Sequence, residues 1–398
     1  MKAARHRAWR PAKNVLLLLL LAGLAYFYTH DYSKRAKGTD FPDFYTAARM
    51  VSEGFGHQLY DAPAQEKFQL RYVGRTGTYY IRPPFETLIF LPVSLWSLET
   101  AFRLWCLLNV GFLACTALVF QKDILDGVNW RVWLPVFLLF PPVLINFQQG
   151  QDSLFLLLIM TLAVVALTQG KDFKAGCLLG CGLFKFHIIL ALVVLVVLQR
   201  RRRRFLGGFA LVFVTLVLIS AGISGWSFLI AYPRFLVSLS SSPLSGIHPS
   251  AMANLRGLIS VSGIAPDATA RFVLTCSAST LLLVWAAWNG RSKFADTASL
   301  VFGNFVLAAI LVSYHLSPSD LSLALLPMAL LWASLTTNAG TPRSARLALL
   351  GLECLLFLPP MHLFLLTWHV YAYASVPFLI LFVMSARSVR MNMEATKA

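Results

Sequence analysis

The sequence predicts an all-α polytopic membrane protein, because its composition, its aromatic content and its long apolar runs all fit a lipid environment. Of its 398 residues, 58% are apolar and 13% are charged, whereas soluble domains average about 45–50% and about 25%. The 30 Phe, 12 Tyr and 10 Trp suit a protein with aromatic belts at the membrane interfaces. These values exclude an ordinary water-soluble enzyme, a disordered protein and a disulfide-stapled secreted module.

The basic residues follow the positive-inside pattern of membrane proteins. The chain has 34 Lys and Arg against 17 Asp and Glu, a formal net charge of +17. The cations stand in short runs beside apolar segments, most clearly over residues 1–13 and at Arg200–Arg204. Because such runs mark cytoplasmic flanks, we expect a basic, cytoplasmic N-terminus at residues 1–13 and no nucleic-acid partner.

The apolar runs predict about 11–13 transmembrane segments in a single membrane domain over residues 1–398, since a spanning helix needs about 20 apolar residues. The first run, Val15–Tyr28, is expected to be an uncleaved helix, because no small-residue cleavage pattern follows it. The further runs are Phe85–Trp96, Ala101–Phe120, Val132–Ile145, Leu154–Leu167, Ala175–Leu198, Phe205–Ile223, Phe272–Trp288, Ala298–Tyr314, Leu321–Leu335, Leu347–Leu358 and Val370–Ser385. Residues 386–398 are predicted to form a C-terminal tail. The six cysteines lie within these runs and are expected to pack as small apolar side chains.

Two long polar stretches are predicted to be loops on the outer side of the membrane. Residues 30–84 form the first, and a loop of this length between spans usually has a function. Within it, Phe44–Val51 predicts a short amphipathic helix on the membrane surface. Residues 224–266 form the second and are expected on the same side. The side of residues 146–153 stays open, because it depends on whether Phe85–Trp96 spans the membrane or only dips into it.

A few ionisable side chains interrupt or flank the apolar runs, and in a bilayer such residues are functional candidates. They are Asp40, Asp43, Arg82, Asp152, Lys185, His187, Arg256, His315 and Asp320. If the loops share one side, these groups meet in one outer cavity. A carboxylate can act there as general base on an acceptor hydroxyl, and Lys or Arg can hold a phosphate as charge develops on it. The mixture suits group transfer from an anionic lipid carrier.

A set of motifs in a fixed order resembles glycosyltransferase family 87. The motifs are GTDFPDFYTAARMVSEGFGHQLYD (Gly38–Asp61), IRPPFETLIFLPVSLW, LWCLLN, NFQQGQDSLFLLL (Asn146–Leu158), GLFKFH around Lys185, NLRGL (Asn254–Leu258) and YHLSPSDLSLALLP around Asp320. Each motif alone is only weakly specific for this family, whereas the order and spacing of the motifs from Gly38 to Pro327 are fairly specific. The family includes polyprenol-phosphate-mannose-dependent mannosyltransferases and belongs to the C-type glycosyltransferase superfold.

The resemblance implies a C-type glycosyltransferase-like helical bundle with long outer loops and an inverting mechanism. The donor would be a polyprenyl-phosphate sugar, carrying a hexose such as mannose, and no nucleotide sugar would be needed. The acceptor would be a glycolipid or glycan of the cell envelope. The implied location is a bacterial inner (plasma) membrane, among membrane lipids, with the active site on the periplasmic face. No cofactor is expected, and dependence on a divalent metal stays open.

In such families a carboxylate of the first outer loop is the catalytic base, and it maps onto Asp40. The sequence departs from the family by placing Asp43 where an apolar residue is more usual. Asp43 is therefore a rival base, or half of an acidic pair like that of metal-dependent relatives. No metal ligand is assigned. The candidate substrate-binding residues are Asp43, Tyr45, Arg82, Gln151, Lys185, His187, Asn254, Arg256, His315 and Asp320.

Simpler roles stay open for several of these residues. Asp40 and Asp320 stand where an Asp can cap a helix, and Lys185 can extend its charge toward an interface. Arg256 can be an ordinary loop cation, and Gln151 a polar contact within the bundle.

Two other functions stay open for the whole chain. One is a transporter or flippase for a lipid-linked sugar, because a polar break such as that at Lys185 is typical of transporters. The long acidic first loop and the lack of a visible internal repeat speak against it. The other is a catalytically silent partner in an envelope assembly.

Overall fold

The computed structural model describes residues 39–125, 129–199, 203–239, 248–291, 294–337 and 342–395. Over these residues the chain forms α-helices joined by short turns, and no strand occurs among them. This confirms the predicted all-α class. The predicted first helix Val15–Tyr28, the basic residues 1–13 and Arg200–Arg202 lie outside the described residues.

The lengths of the helices vary along the chain from 7 to 22 residues. In chain order they begin with α1 (Phe41–Ser52), α2 (Ala62–Val73), α3 (Thr87–Ser94), α4 (Leu98–Val119), α5 (Trp130–Leu138), α6 (Pro141–Gln149), α7 (Ser153–Thr168), α8 (Asp172–Cys181) and α9 (Phe186–Val197). They continue with α10 (Arg203–Ser224), α11 (Phe228–Leu239), α12 (Leu255–Val261), α13 (Ala268–Asn289), α14 (Phe294–Val312), α15 (Leu325–Thr337), α16 (Arg343–Leu356), α17 (Pro359–Thr367) and α18 (Ser375–Ala395).

By length and composition, the described residues hold six helices able to cross a membrane, or up to eight if each of two bent pairs is one span. The chain is therefore an integral membrane protein. The six are Leu98–Ile124, Asp172–Val197, Arg203–Ser224, Ala268–Asn289, Pro318–Leu335 and Tyr371–Met391. The sequence predicted about 11–13 segments, and the difference lies mainly in runs that form shorter helices. Pro84–Ser94 and Ser153–Thr168 each have only 10–17 residues.

Proline bends one of the predicted spans and follows the end of another. The run Val132–Ile145 becomes α5 and α6, which meet at 70° before Pro141. The pair α16 and α17 meets at 52° before Pro359. A proline lacks the backbone N–H and its ring clashes with the preceding turn, so each helix ends there and a new one starts in another direction.

The first long loop folds into the body of the protein. The predicted helix over Phe44–Val51 is present as the longer α1, but it packs against α3 and does not lie on the surface. Phe41 and Ala48 are fully buried, and the Phe44 ring stacks on Phe90 with centroids 4.6 Å apart. Aromatic side chains on several sides of α1 therefore anchor the start of the helix among the membrane segments.

The structure also brings residues 146–153 next to the first loop. The Gln151 side chain in that turn is hydrogen-bonded to Asp40, just before α1. His248 and Met252 of the second long loop line the same cavity as Asp40. All three segments therefore meet around one cavity.

Candidate active site

A cavity of about 430 Å³ lies where the first loop, the α6–α7 turn and the segment before α15 meet. Five of the predicted site residues line it, namely Asp40, Asp43, Arg82, Gln151 and His315. Asp40 and Gln151 are 111 positions apart in the sequence. The fold therefore gathers side chains from distant motifs around one space.

Asp40 presents its carboxylate to this cavity from the residue just before α1. Its Oδ2 accepts a hydrogen bond from Gln151 Nε2, whereas Oδ1 has no hydrogen-bond partner among the described residues. The side chain makes no helix-capping bond. Burial raises the pKa of Asp40, while the Gln151 amide and the Arg82 guanidinium act to lower it. A carboxylate with a free oxygen and a raised pKa is well suited to accept a proton.

Asp43 is more fully occupied by hydrogen bonds. The Thr78 hydroxyl donates to Oδ2, and Gln69 Nε2 donates to Oδ1 at 3.3 Å. Burial raises the pKa of Asp43 well above its usual range, and the neighbouring Asp40 carboxylate adds to this rise. Because both oxygens of Asp43 already have donors, the geometry favours Asp40 as the base.

Arg82 brings a positive charge to the cavity. Its side chain is buried, yet no hydrogen bond or ion pair joins its guanidinium to another described residue. Burial disfavours the charge, but the carboxylates of Glu86 and Asp152 keep the pKa of Arg82 above its usual value. Tyr60 fixes the local backbone by donating to the Arg82 carbonyl at 2.9 Å. A buried, charged and unpaired guanidinium is a ready partner for a phosphate.

Lys185 lies behind Gln151 and does not line the cavity. Its Nζ is 2.8 Å from Asp152 Oδ1, 2.9 Å from Ser153 Oγ and 3.3 Å from Gln151 Oε1. It also contacts Asp320 Oδ1, and the side chain is fully buried. An ammonium has only three donors, so these oxygens satisfy it. A direct contact of Lys185 with a substrate stays a prediction.

Asp320 combines a capping contact with a contact in this network. Its Oδ2 accepts from the backbone N–H of Ser317 at 2.8 Å, close to the capping role considered from the sequence. Its Oδ1 accepts from Ser153 Oγ at 2.8 Å as well as from Lys185. Asp320 therefore ties the start of the segment 318–324 to Lys185 and to the start of α7.

His187 and Asn254 meet at Ser313, outside the cavity wall. His187 Nδ1 is 2.8 Å from Ser313 Oγ, and Asn254 Nδ2 donates to the Ser313 carbonyl at 2.7 Å. The His187 ring lies edge-on to the His315 ring, with centroids 5.9 Å apart. Burial lowers the pKa of His315 to about 4, so the imidazole that lines the cavity is neutral at neutral pH.

Arg256 and Tyr45 also lie away from the cavity wall. Arg256 donates to the Tyr314 carbonyl at 2.8 Å and stacks over the Tyr314 ring at 4.0 Å. Tyr45 donates to the Trp96 carbonyl at 2.8 Å. Both side chains are therefore held by backbone carbonyls, and substrate contacts by Arg256 and Tyr45 stay predictions.

The sequence reasoning missed the residues that hold the α6–α7 turn. Trp105 Nε1 donates to the Gly150 carbonyl at 2.9 Å, and Asn146 Nδ2 donates to Asn109 Oδ1 at 3.1 Å. Asn146 Oδ1 in turn accepts from the Ser153 N–H at 3.2 Å. The available signal was the spacing of Trp105 and Asn109, which puts both on one face of α4.

The cavity also has polar and apolar lining residues that the sequence did not single out. Gln148, Gln149 and His248 supply amide and imidazole groups. Ile145 and Leu366 supply apolar surface from α6 and α17, the second helices of the two bent pairs. The two glutamines stand directly before Gly150 in the quoted motif, which was the signal that could have found them.

We expect Gly150→Ala to destabilise the protein more than Gly170→Ala does. Both glycines have a left-handed backbone, with φ of 66° and 69°, so each change carries a similar backbone strain. A Cβ at Gly150 would lie 2.6 Å from Phe41 Cβ, whereas a Cβ at Gly170 meets nothing within 4 Å. Overpacking of this kind costs about 1–3 kcal/mol. Melting temperatures of the two purified variants check this, and equal values would contradict it.

Over the part of the chain that the structure describes, no group of three or more His, Cys, Asp or Glu side chains is placed to hold a metal ion. Asp40 and Asp43 are instead engaged by the Gln151 amide and the Thr78 hydroxyl.

The fold and the cavity together define an integral membrane protein whose site holds a carboxylate with one free oxygen and a cation without a partner, as far as the described part of the chain shows. The model of glycosyltransferase family 87 matches residues 80–318, more than half of the chain. The chain therefore belongs to glycosyltransferase family 87, which confirms the resemblance of its motifs and identifies it as a glycosyltransferase. Arg82 lies inside the matched range, and Asp40 precedes it. No curated protein and no solved structure matches the chain. A membrane glycosyltransferase acts on a sugar donor and an acceptor, and the cavity is the candidate site for both.

Proposed function

We propose that this glycosyltransferase moves a hexose, with mannose as the first sugar to test, from a polyprenyl-phosphate sugar to an envelope glycolipid or glycan. We place the reaction at the periplasmic face of a bacterial inner membrane. The observation that carries the proposal is that Asp40 and Arg82 line one cavity with a carboxylate oxygen and a guanidinium that have no partner among the described residues. A transferase with a phosphate leaving group needs these two chemistries side by side.

The proposed step is a single displacement with inversion at the anomeric carbon. Asp40 Oδ1 takes the proton of the acceptor hydroxyl as the acceptor oxygen attacks that carbon. The bond from the anomeric carbon to the phosphate oxygen breaks, and its electron pair leaves with the polyprenyl phosphate. The phosphate gains one negative charge, and the Arg82 guanidinium is placed to stabilise it. Asp40 ends the step protonated and releases the proton to water.

The apolar part of the cavity lining supports a lipid-linked donor. Ile145 and Leu366 come from the second helices of the two bent pairs. A cavity lined from one side by membrane helices and from the other by loop residues can receive a lipid carrier and a more polar acceptor together. The amides of Gln148 and Gln149 suit the hydroxyls of a sugar.

The test uses the full-length protein in lipid vesicles with a short-chain polyprenyl-phosphate mannose labelled in the sugar and an envelope lipid extract as acceptor. We expect a labelled product with a new glycosidic bond and an inverted anomeric configuration. We expect no product when a nucleotide sugar replaces the lipid donor. Movement of the labelled lipid across the vesicle without any new bond would overturn the proposal in favour of a transporter. Loss of one glycolipid in a deletion strain would identify the acceptor.

A further inference from the structure

Gln151 has two different neighbours at the two ends of its side-chain amide. Its Nε2 donates to Asp40 Oδ2, and its Oε1 accepts from Lys185 Nζ at 3.3 Å. The residue is 3% exposed, so most of its surface is packed against other parts of the protein. The amide therefore joins the carboxylate in the cavity to the ammonium behind it.

The chemistry of Lys185 allows only one orientation of this amide. A lysine ammonium donates hydrogen bonds and cannot accept them, so the amide oxygen must face Lys185. The amide nitrogen then faces Asp40 and donates to it. The flipped amide would point its oxygen at the Asp40 carboxylate and its N–H groups at the ammonium, and both contacts would be repulsive.

Lys185 itself is held in place by groups from other parts of the chain. Asp320 Oδ1 and Asp152 Oδ1 pair with its Nζ, and Ser153 Oγ lies 2.9 Å away. Asp320 is fixed in turn by the Ser317 N–H at 2.8 Å. Lys185 is therefore a rigid reference point for the amide of Gln151, although it does not line the cavity.

We propose that Lys185 and Asp320 are positioning residues that fix the Gln151 amide with its N–H toward Asp40, so that one carboxylate oxygen is held and the other stays free for the acceptor hydroxyl. This inference rests on the proposed role of Asp40 as base. Gln151, Lys185 and Asp320 come from three separate motifs, and together they would set the orientation and the basicity of the Asp40 carboxylate.

The effect on Asp40 has a defined sign. An N–H that donates to a carboxylate stabilises its charged form, and burial without this bond would raise the pKa of Asp40 further. A protonated base cannot accept a proton, so transfer falls as the pH drops through that pKa. The charged and titratable groups that line the cavity of Asp40 or act on its charge are Asp43, Tyr79, Tyr80, Arg82, Lys185, His248, His315 and Asp320.

The experiment is the pH profile of kcat/KM for transfer from the polyprenyl-phosphate mannose probe by the full-length protein in vesicles. We expect Gln151→Leu to move the acidic limb upward by about one pH unit, because a hydrogen bond to a charged group is lost. We expect the double variant Lys185→Gln/Asp320→Asn to move the limb in the same direction. Lys185 and Asp320 act on the pKa of Asp40 with opposite signs, so removing both charges together largely cancels their direct effects. The main remaining change is that the Gln151 amide is no longer held in one orientation.

The decisive measurement is the triple variant that adds Gln151→Leu to Lys185→Gln/Asp320→Asn. If Lys185 and Asp320 act through the amide, the further shift of the limb is much smaller than the shift from Gln151→Leu alone. The proposal would be overturned if the shifts of the acidic limb were additive. It would also be overturned if the variants lost activity while the acidic limb stayed at the same pH. Asn304→Leu is the matched control, because it removes a buried amide bonded to the Phe382 carbonyl, and its limb should not move.

The Asp40→Asn variant separates this inference from the proposed function. If Asp40→Asn keeps full transfer, the base assignment fails and the positioning role fails with it. If Asp40→Asn is inactive while Gln151→Leu leaves the limb in place, only the positioning role fails. Thermal melting of each purified variant shows that it is folded before its profile is compared.

Discussion

Replacing Asp40 with Asn is expected to lower sugar transfer by about 10²–10⁴-fold, the usual contribution of a general base. The amide of Asn can still meet Gln151, but it cannot take the proton of an acceptor hydroxyl. Since Asp40 makes no helix-capping bond, the variant should remain folded and inserted in the membrane. Transfer from the polyprenyl-phosphate mannose probe, measured at saturating donor, checks the prediction.

Two further substitutions make the test specific for Asp40. Asp61→Asn is the matched control in the same loop, because Asp61 is exposed and caps α2 through the Ala64 N–H at 2.8 Å, a bond that Asn also forms. It should leave transfer unchanged. Asp43→Asn should reduce transfer less than Asp40→Asn does, because both oxygens of Asp43 are already bonded. The reverse order would move the base to Asp43.

The helical class and the position of most helices could be predicted from hydropathy, because spanning segments must be long and apolar. The break at Lys185 was also visible, and the structure places the end of one helix and the start of α9 there. The bends before Pro141 and Pro359 were not predicted in the sequence reasoning, although proline at both points was a local signal. The number of spanning helices could not be predicted from hydropathy alone, because apolar helices that are too short to span a membrane also pack inside the bundle.

The arrangement of the site could be predicted only in part. The sequence identified buried ionisable residues, since each is conspicuous in an apolar run. It could not tell which cation meets a substrate, because that depends on pairing across long separations. Lys185 is satisfied by partners 34 and 135 positions away, whereas Arg82 is left unpaired among the described residues. The sequence offered both Lys185 and Arg82 as candidate phosphate ligands, and the geometry favours Arg82 for that role.

Arg82→Gln is accordingly expected to weaken binding of the polyprenyl-phosphate mannose probe by about 10–10²-fold, since a hydrogen bond to a charged group contributes about 1.5–3 kcal/mol. It should also slow transfer, because charge builds up on the phosphate as it leaves. Arg82→Lys keeps the charge but loses the planar fork of donors, so it should recover part of both effects.

A structural role for Arg82 predicts a different pattern from a phosphate contact. If Arg82 only neutralised Glu86 and Asp152, Arg82→Gln would lower the melting temperature and Arg82→Lys would restore both stability and transfer. If Arg82 holds the phosphate, Arg82→Lys restores stability while the KM for the donor stays raised, because a point charge replaces a bidentate contact. Arg71→Gln is the control, since Arg71 is exposed and paired with Glu53 at 3.0 Å, and its KM should match that of the unaltered protein. An unchanged KM in a folded Arg82→Gln variant would remove Arg82 from the phosphate site.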